Sequence, residues 1–417
     1  VFMIQYTEVG QSPDEAAIVY PPEYATAKIA FGPPAPPVGV IKIGAVVPLS
    51  EPGAYESGAE MKMAMELAVE EINKYGGVLG KRIELIVEDT AGLPEKGTAA
   101  MEKLITKDKV VGVVGEFHSS VAIAEIEVAH RYHVPIIISE AWSDKITAKQ
   151  YPEVFRIAPA VTLFYTKIAN FLADSGFKKV AIIAENTDWG LDVTEIMTKV
   201  FKERGIEVIG PFTAERTVTD FTPQLLEIQR HEPDLLLDIF TGTGGYLIVK
   251  QAYELGLAPS PKCALVSMST STLYPEFWET VGEAGRYVLT KTVWVKGVML
   301  TPKTEEFIKK FKAKYGRDPT FAAMEAYDSV YVLVEAIKKA KSTNSDAVIK
   351  ALEEIEYLGT LGKISFSTQR DPPMAYHQWL GFNVFMIQYT EVGQSPDEAA
   401  IVYPPEYATS PIQYPPG

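Results

Sequence analysis

Hydrophobic positions along this chain change period in a regular order. Short apolar runs, "IKIGAVVPL" from Ile41, "RIELIVED" from Arg82, "VVGVVG" from Val110 and "VPIIIS" from Val134, lack the polar alternation of a half-solvated strand and predict strands covered on both faces. Between them lie segments with apolar residues three or four apart. The first, about Ser57 to Tyr75, puts Met61, Ala64, Ala68 and Ile72 on one face and pairs Glu70 with Lys74 outside. A second helix is expected near Lys96 to Ile105, and a third after "VVGVVG". The order βαβαβαβ predicts a mostly parallel sheet wrapped by helices.

The same grammar restarts at "KKVAIIAENTDWG" and continues through "GIEVIG", "DLLLDIF" and "CALVSM", so a second doubly wound unit follows the first. After Arg286 come "YVLTKTVWV" and helices around Glu305 to Tyr315, Phe321 to Lys341 and Ser345 to Glu354. Those helices need a sheet, and the economical assignment returns them to the first unit. The expected architecture is therefore α/β, with two Rossmann-like doubly wound lobes joined by more than one chain crossing. Residues 41–160 with 291–370 form lobe 1, and 161–290 with 371–417 form lobe 2. A cleft should lie where the strand ends of both sheets face each other.

The termini do not fit this grammar. "VFMIQYTEVGQSPDEAAIVYPPEYAT" runs from Val1 to Thr26 and again, without one substitution, from Val384 to Thr409. Solenoid repeats recur every few tens of residues, so this spacing is no repeat architecture. The downstream copy continues without a break from "AYHQWLGFN", whereas the upstream copy is followed by "AKIAFGPPAPPVGV", whose four prolines predict an extended linker over Ala27 to Val40. The upstream copy thus reads as an additional tail within residues 1–40. It would be a permuted head, an exchange with a neighbouring molecule, or an added edge strand.

Length and composition, 417 residues with 47% hydrophobic, allow two cores of ordinary domain size. A net charge of -15 with no long basic run argues against a nucleic-acid partner. One cysteine, Cys263, excludes an internal disulfide framework and a cysteine-rich metal site, and its place in an apolar run predicts an inert buried thiol. No stretch approaches the length of a membrane-spanning helix. The first residues lack a basic region followed by an apolar one, so a secretory signal is expected to be absent or already removed. Frequent Lys, Glu and Ile with many loop prolines lean toward heat adaptation.

Three loops follow strands and precede helices: "PLSEPGAYESG", "GEFHSS" and "SEAWSD". In the second, Ser119 or Ser120 stands at a helix start, where free N–H groups and a hydroxyl suit a carboxylate, although serine also caps ordinary helices. "AENTDWG" and "FTGTGG" occupy the equivalent rim of the second unit. The tryptophans Trp142, Trp189 and Trp294 offer faces to a cation or an apolar ligand, or simply pack. "HRYHVP" places His130 and His133 one helical turn apart, but no third metal ligand accompanies them. "TGTGG" lacks the Lys-Ser or Lys-Thr of a phosphate loop. No nucleophile stands beside a base, so no catalytic residue, cofactor or metal is expected.

The ordered set "IKIGAVVPLSEPGAYESG", "AMELAVEEINKYGGVLGKRIELIVEDT", "VVGVVGEFHSSVAIA", "VPIIIS", "VFRIAP", "KKVAIIAENTDWG" and "AYDSVYVLVEAI" resembles the periplasmic-type solute-binding proteins for branched-chain amino acids. The resemblance covers Ile41 to Thr409. It implies the type I periplasmic binding fold, three crossings between lobes, and an extracytoplasmic protein that closes on a small ligand and delivers it to an ABC permease. Carried over by position, it implies a ligand hydroxyl at Ser119 or Ser120, carboxylate contacts at Ala141, Trp142 and Ser143, and an aromatic wall at Trp189. It further implies a polar loop at Thr241, Gly242 and Thr243 and a lid side chain at Tyr55. Where such proteins hold a ligand ammonium with an acidic side chain, this chain has Ser267 and Met268 in "SMSTST". An amino-acid ligand would then need Glu116, Glu140 or Asp188 as its counter-charge, or the aromatic faces. The alternative is a ligand-sensing domain of the same fold.

Overall fold

A computed structural model describes residues 3–5, 16–20, 38–298 and 300–417. After the short strands β1 (Met3–Gln5) and β2 (Ala17–Tyr20), the first unit is laid down as β3 (Val40–Val47), α1 (Tyr55–Lys74), β4 (Arg82–Asp89), α2 (Pro94–Lys103), β5 (Val113–Gly115), α3 (Ser119–Tyr132), β6 (Ile136–Ile138), α4 (Lys145–Ala148) and β7 (Val154–Arg156). Its five strands are all parallel, in the order β4-β3-β5-β6-β7. The order reverses between β3 and β5, and a crevice opens outside the strand ends at such a reversal.

The chain then builds α5 (Val161–Asp174), β8 (Lys179–Glu185), α6 (Asp188–Glu203), β9 (Glu207–Ala214), α7 (Thr222–Arg230), β10 (Leu235–Ile239), α8 (Thr243–Glu254), β11 (Ala264–Ser267), α9 (Pro275–Val281) and β12 (Leu289–Thr292). The parallel order β9-β8-β10-β11-β12 repeats that of the first sheet, with its reversal between β8 and β10. Helices α10 (Pro302–Tyr315), α11 (Phe321–Ala340) and α12 (Ser345–Glu353) follow. Both tyrosines Tyr327 and Tyr331 of α11 donate to Glu71 Oε2 of α1, at 2.5 and 2.9 Å, which fixes these helices on the first sheet as expected. A small hairpin, β13 (Tyr357–Leu358) with β14 (Lys363–Ile364), leads past a bridge between Arg156 and Gln378 to β15 (Phe385–Gln388) and β16 (Ala400–Tyr403). β15 runs antiparallel to β12 and β16 antiparallel to β15, and together they complete the second sheet.

Local sequence explains the main boundaries. Thr187 caps α6 by accepting from Gly190 N, and Thr301 with Thr304 forms a reciprocal cap at α10, where Pro302 supplies the first residue. Gly316, in the left-handed region, ends α10. The predicted face of α1 is buried through Met61, Ala64, Ala68 and Ile72, each apolar side chain of Met or Ile size contributing about 1.5–3 kcal/mol. Glu70 carries an ion pair with Lys314 of α10.

His130 and His133 meet a carboxylate instead of a metal. Both approach Glu153, at 2.9 and 2.6 Å, and His133 Nε2 also reaches Asp346 of α12 at 2.7 Å. Among the described residues no group of three or more His, Cys, Asp or Glu side chains is placed to hold a metal ion. Hydrogen bonds to Asp346 and Glu153 raise the pKa of His133. A raised folded-state value means that its contribution to stability is complete below the ordinary histidine pKa and is lost as pH rises through the raised one. Thermal unfolding at several pH values should therefore show the difference between wild type and His133→Asn shrinking as pH climbs above about 6.5. Asn is chosen because residue 133 has φ 53°. A difference constant with pH would contradict this assignment.

The strands of the duplicated segment pair the same way twice. β1 pairs with β2 through Met3–Tyr20, Ile4–Ile18 and Gln5–Ala17, and β15 pairs with β16 through Met386–Tyr403, Ile387–Ile401 and Gln388–Ala400, with the register shift at the same step. Only the downstream hairpin joins the second sheet; among the described residues β1 and β2 form a separate two-stranded sheet. The linker read over Ala27 to Val40 lies mostly outside the described residues.

Candidate functional site

Strand ends of both sheets converge on a cavity with about 340 Å³ of atom-free space, part of it open to the cleft mouth. Its lining is drawn from both lobes: Phe117, His118 and Ser119 after β5, Glu140 and Trp142 after β6, Glu185 and Trp189 around the start of α6, and Thr241, Met268, Thr270 and Lys291 from the second sheet.

Ser119 opens α3, and its Oγ accepts from the backbone N–H groups of Trp142 and Ser143 at 3.1 and 3.0 Å. The hydroxyl proton stays available to a ligand, and the first turn of a 14-residue helix adds its positive end. The loop after β6 is pinned from below by Arg156, fully buried, which donates to Ser143 O and Gln378 Oε1 at 2.5 Å each and to Thr147 Oγ1 at 3.0 Å. Burial lowers the pKa of this guanidinium to about 10, which still leaves it charged at neutral pH.

Trp142 is buried against Phe164 and Phe321, with ring centroids 4.7 and 6.1 Å away. Lys291 Nζ lies 4.1 Å from the Trp142 ring centroid and 4.5 Å from that of Phe321, and donates to Thr270 Oγ1 at 2.9 Å. Burial brings the pKa of Lys291 down to about 8, opposed by Glu140 and Glu325. Glu185 accepts from Thr241 N and Oγ1 at 2.8 and 2.7 Å, which ties the end of β8 to the loop after β10. At Gly190 the start of α6 passes close to the end of β8, where a Cβ would stand 2.2 Å from Glu185 O.

Side chains tie the lobes together around the cavity. Lys145 bridges Asp188 and Asp192 at 2.8 and 3.2 Å, Ser143 Oγ bonds Asp192, and Ser120 Oγ accepts from Asp188 N at 3.0 Å. On the other side Arg216, beyond β9, donates to Gly92 O and lies 2.9 Å from Nδ1 of His118. His118 Nε2 accepts from Ala54 N at 2.9 Å, and burial with the Arg216 charge pushes its pKa well down, so it is neutral.

Of the residues singled out in the sequence, Ser119, Trp142, Trp189 and Thr241 line the cavity. Ser120 and Ser143 serve the interlobe ties, and Ala141 is buried beside them. Gly242 N donates to Ser271 Oγ at 3.1 Å, at φ 60°, a left-handed value that suits glycine, and Thr243 begins α8 in an exposed position. Ser267 turns away to donate to Asp238 at 2.7 Å, leaving Met268 at the cavity. Tyr55, 40% exposed, begins α1 and is not among the residues that line the cavity. Trp294 lies in a second cleft with Phe321 and Asp397, its Nε1 bonded to Val298 O at 2.9 Å.

Sequence reasoning missed Lys291, Thr270, Glu185, Phe117 and His118. One available signal was a lysine in the middle of the apolar run "YVLTKTVWV". Of the three carboxylates considered for a ligand cation, Glu116 is taken by Thr90 Oγ1 at 2.8 Å and His118 N at 2.9 Å, and Asp188 by Lys145. Glu140 alone of these three lines the cavity.

Two sheets whose five-stranded parallel parts share one order, three chain crossings and a polar cavity between strand ends define a bilobal ligand-binding protein. The chain belongs to the periplasmic binding protein family, whose sequence profile matches residues 40–380. A curated relative, Leu/Ile/Val-binding protein homolog 7 of Brucella abortus, is 29% identical over 335 residues, covering 77% of this chain and 83% of the relative. The fold is also that of the branched-chain amino acid transporter substrate binding protein LivJ of Streptococcus pneumoniae, solved with isoleucine, with TM-score 0.76 and 24% identity over 88% of this chain and all of that one. A solute-binding protein of an ABC transporter from R. palustris, solved with benzoate, gives TM-score 0.74 at 23% identity over 87% of this chain and 96% of that one.

Proposed function

We propose that this chain is the extracytoplasmic solute-binding protein of an ABC importer, closing on an amino acid or a similar small organic acid between its lobes and presenting the closed form to a membrane permease. The observation that carries the reading is a cavity lined from both lobes and ringed by interlobe hydrogen bonds and ion pairs. Ligand binding in such an arrangement shifts a population from open to closed, because only the closed form lets both walls touch the ligand. The carboxylate of the ligand sits at Ser119 and the start of α3, with the indoles of Trp142 and Trp189 along its apolar part. The hinge consists of the three crossings near residues 157–160, 293–301 and 379–384.

The direct test is to denature the purified protein and identify released small molecules by mass spectrometry. An amino acid or small carboxylic acid is expected; a nucleotide or a metal would overturn the reading. Arg216→Ala removes a tie that exists only when the lobes are together. It should weaken ligand affinity by roughly 10-fold with little change in the unfolding midpoint, measured by titration calorimetry and thermal denaturation. Equal affinities would mean that the Arg216 contact does not belong to closure.

A further inference from the structure

The tie that Arg216 makes across the lobes ends on a histidine able to accept it only without a proton. His118, buried in the loop after β5, accepts from Ala54 N through Nε2 at 2.9 Å. Arg216, coming from the second lobe, places Nη1 2.9 Å from Nδ1 and 3.0 Å from Nε2 of that ring, while Nη2 donates to Gly92 O. A guanidinium only donates, and so does an imidazolium, so a protonated His118 would set donor against donor at both Ala54 and Arg216. It would also hold two positive charges in contact away from water. The three groups are packed closely, since a Cβ on Gly92 would stand 2.7 Å from Arg216 Nη1 and 2.8 Å from His118 Cδ2.

Other charges around the ring do not offset this. Among the described residues, Arg216 is the charge that acts on His118. Glu116 turns its carboxylate to Thr90 Oγ1 and to the backbone N–H of His118, not to the ring, and Glu125 of α3 acts on Glu116. In the Ala54 loop Glu51 and Glu56 act on Tyr55, and before Gly92 the Asp89 carboxylate accepts from Leu49 N and Ala91 N. Phe117 meets the ring edge-on, with centroids 5.0 Å apart, and carries no charge.

Resting on the solute-binding reading above, we propose that His118 is a positioning residue that gates closure: the lobes shut on a neutral ring, so acidification favours the open cleft and releases the ligand. His118 lines the cavity and precedes Ser119, so the gate is one residue from the helix start that meets the ligand. With the lobes apart the ring faces water without Arg216, and its pKa returns toward the ordinary histidine value; burial and the Arg216 charge drive it well down on closure. Closure therefore expels a proton. Affinity is complete above the open-form pKa and is lost as pH falls through it. Glu116, held at about 7 chiefly by burial, is pushed by Arg216 in the same direction, so its smaller share has the same sign.

Titration calorimetry of the full chain with isoleucine and with benzoate at pH 7.5 and 5.5 tests the gate, because both compounds keep their charge between those values. Wild type should lose about 10-fold in affinity on going to pH 5.5, the ratio for one proton expelled from a histidine of ordinary open-form pKa. His118→Gln, whose amide oxygen can still accept from Ala54 N, should lose about 2-fold or less, and Arg216→Ala should be as flat. Glu116→Gln should keep most of the wild-type fall, which separates the two titrating groups. Equal wild-type affinity at the two pH values, or a His118→Gln variant as pH-sensitive as wild type, would overturn the gate and leave the solute-binding reading intact. Binding of neither compound at either pH would overturn the gate together with the reading on which it rests.

Discussion

Trp142→Ala will abolish measurable ligand binding and lower the unfolding free energy by about 3–5 kcal/mol. Both effects follow from one side chain. The indole fills space against Phe164, Tyr165 and Phe321, so truncation leaves a cavity that these rings cannot close. It also forms the face beneath Lys291, whose burial is tolerable because the ammonium lies over two aromatic rings and reaches Thr270. Losing one face raises the cost of the buried charge, and the wall that meets the ligand loses its shape. Urea denaturation and calorimetry separate the two effects. Trp142→Phe is the control, expected to recover most of the stability and part of the affinity. A variant as stable as wild type, or one that binds normally, would show that Trp142 is neither a packing anchor nor a ligand wall.

The second large effect uses the duplicated segment as its own control. Ile4 and Ile387 occupy the same register of identical hairpins, yet Ile4 is 40% exposed and Ile387 fully buried. Ile387→Ala should cost about 2–5 kcal/mol, whereas Ile4→Ala should change stability by less than about 0.5 kcal/mol. The comparison removes sequence context as a variable, because the same neighbours surround both residues along the chain. What differs is the antiparallel pairing of β15 with β12 and the core beneath it. Equal losses at the two positions would mean that the upstream hairpin is packed as tightly as the downstream one.

The same pair shows what local pattern determines and what it does not. Strands β1 with β2 and β15 with β16 take one register from the same alternation of residues, but nothing within the segment says which copy meets β12. Continuity with "AYHQWLGFN" did point to the downstream copy. The doubly wound order was legible because strands buried on both faces and helices with one apolar face leave few other arrangements. Predicted helix ends at Tyr75, Tyr315, Lys341 and Glu354 fall on or within one residue of the observed limits at Lys74, Tyr315, Ala340 and Glu353.

The cavity was legible only in part. Ser119, Trp142, Trp189 and Thr241 lie on or just after strand ends, where the fold class directs attention. Lys291 and Glu325 lie inside elements, and their meeting with Glu140 depends on how α11 of the first lobe approaches β12 of the second. Glu325 and Asp328 on an otherwise apolar face of α11 were the trace of it, since carboxylates are rarely buried without a purpose or a partner. The ties made by Lys145, Arg216 and Asp192 could not be read at all, because each joins segments far apart in the chain.

Everything proposed for this protein depends on two halves that swing together over a small guest. Small-angle X-ray scattering of the full chain, freed of bound molecules and then saturated with an amino acid that calorimetry shows to bind, measures that motion. A smaller radius of gyration in the saturated sample is the expected result; identical profiles with the guest demonstrably bound would contradict closure and the receptor role built on it.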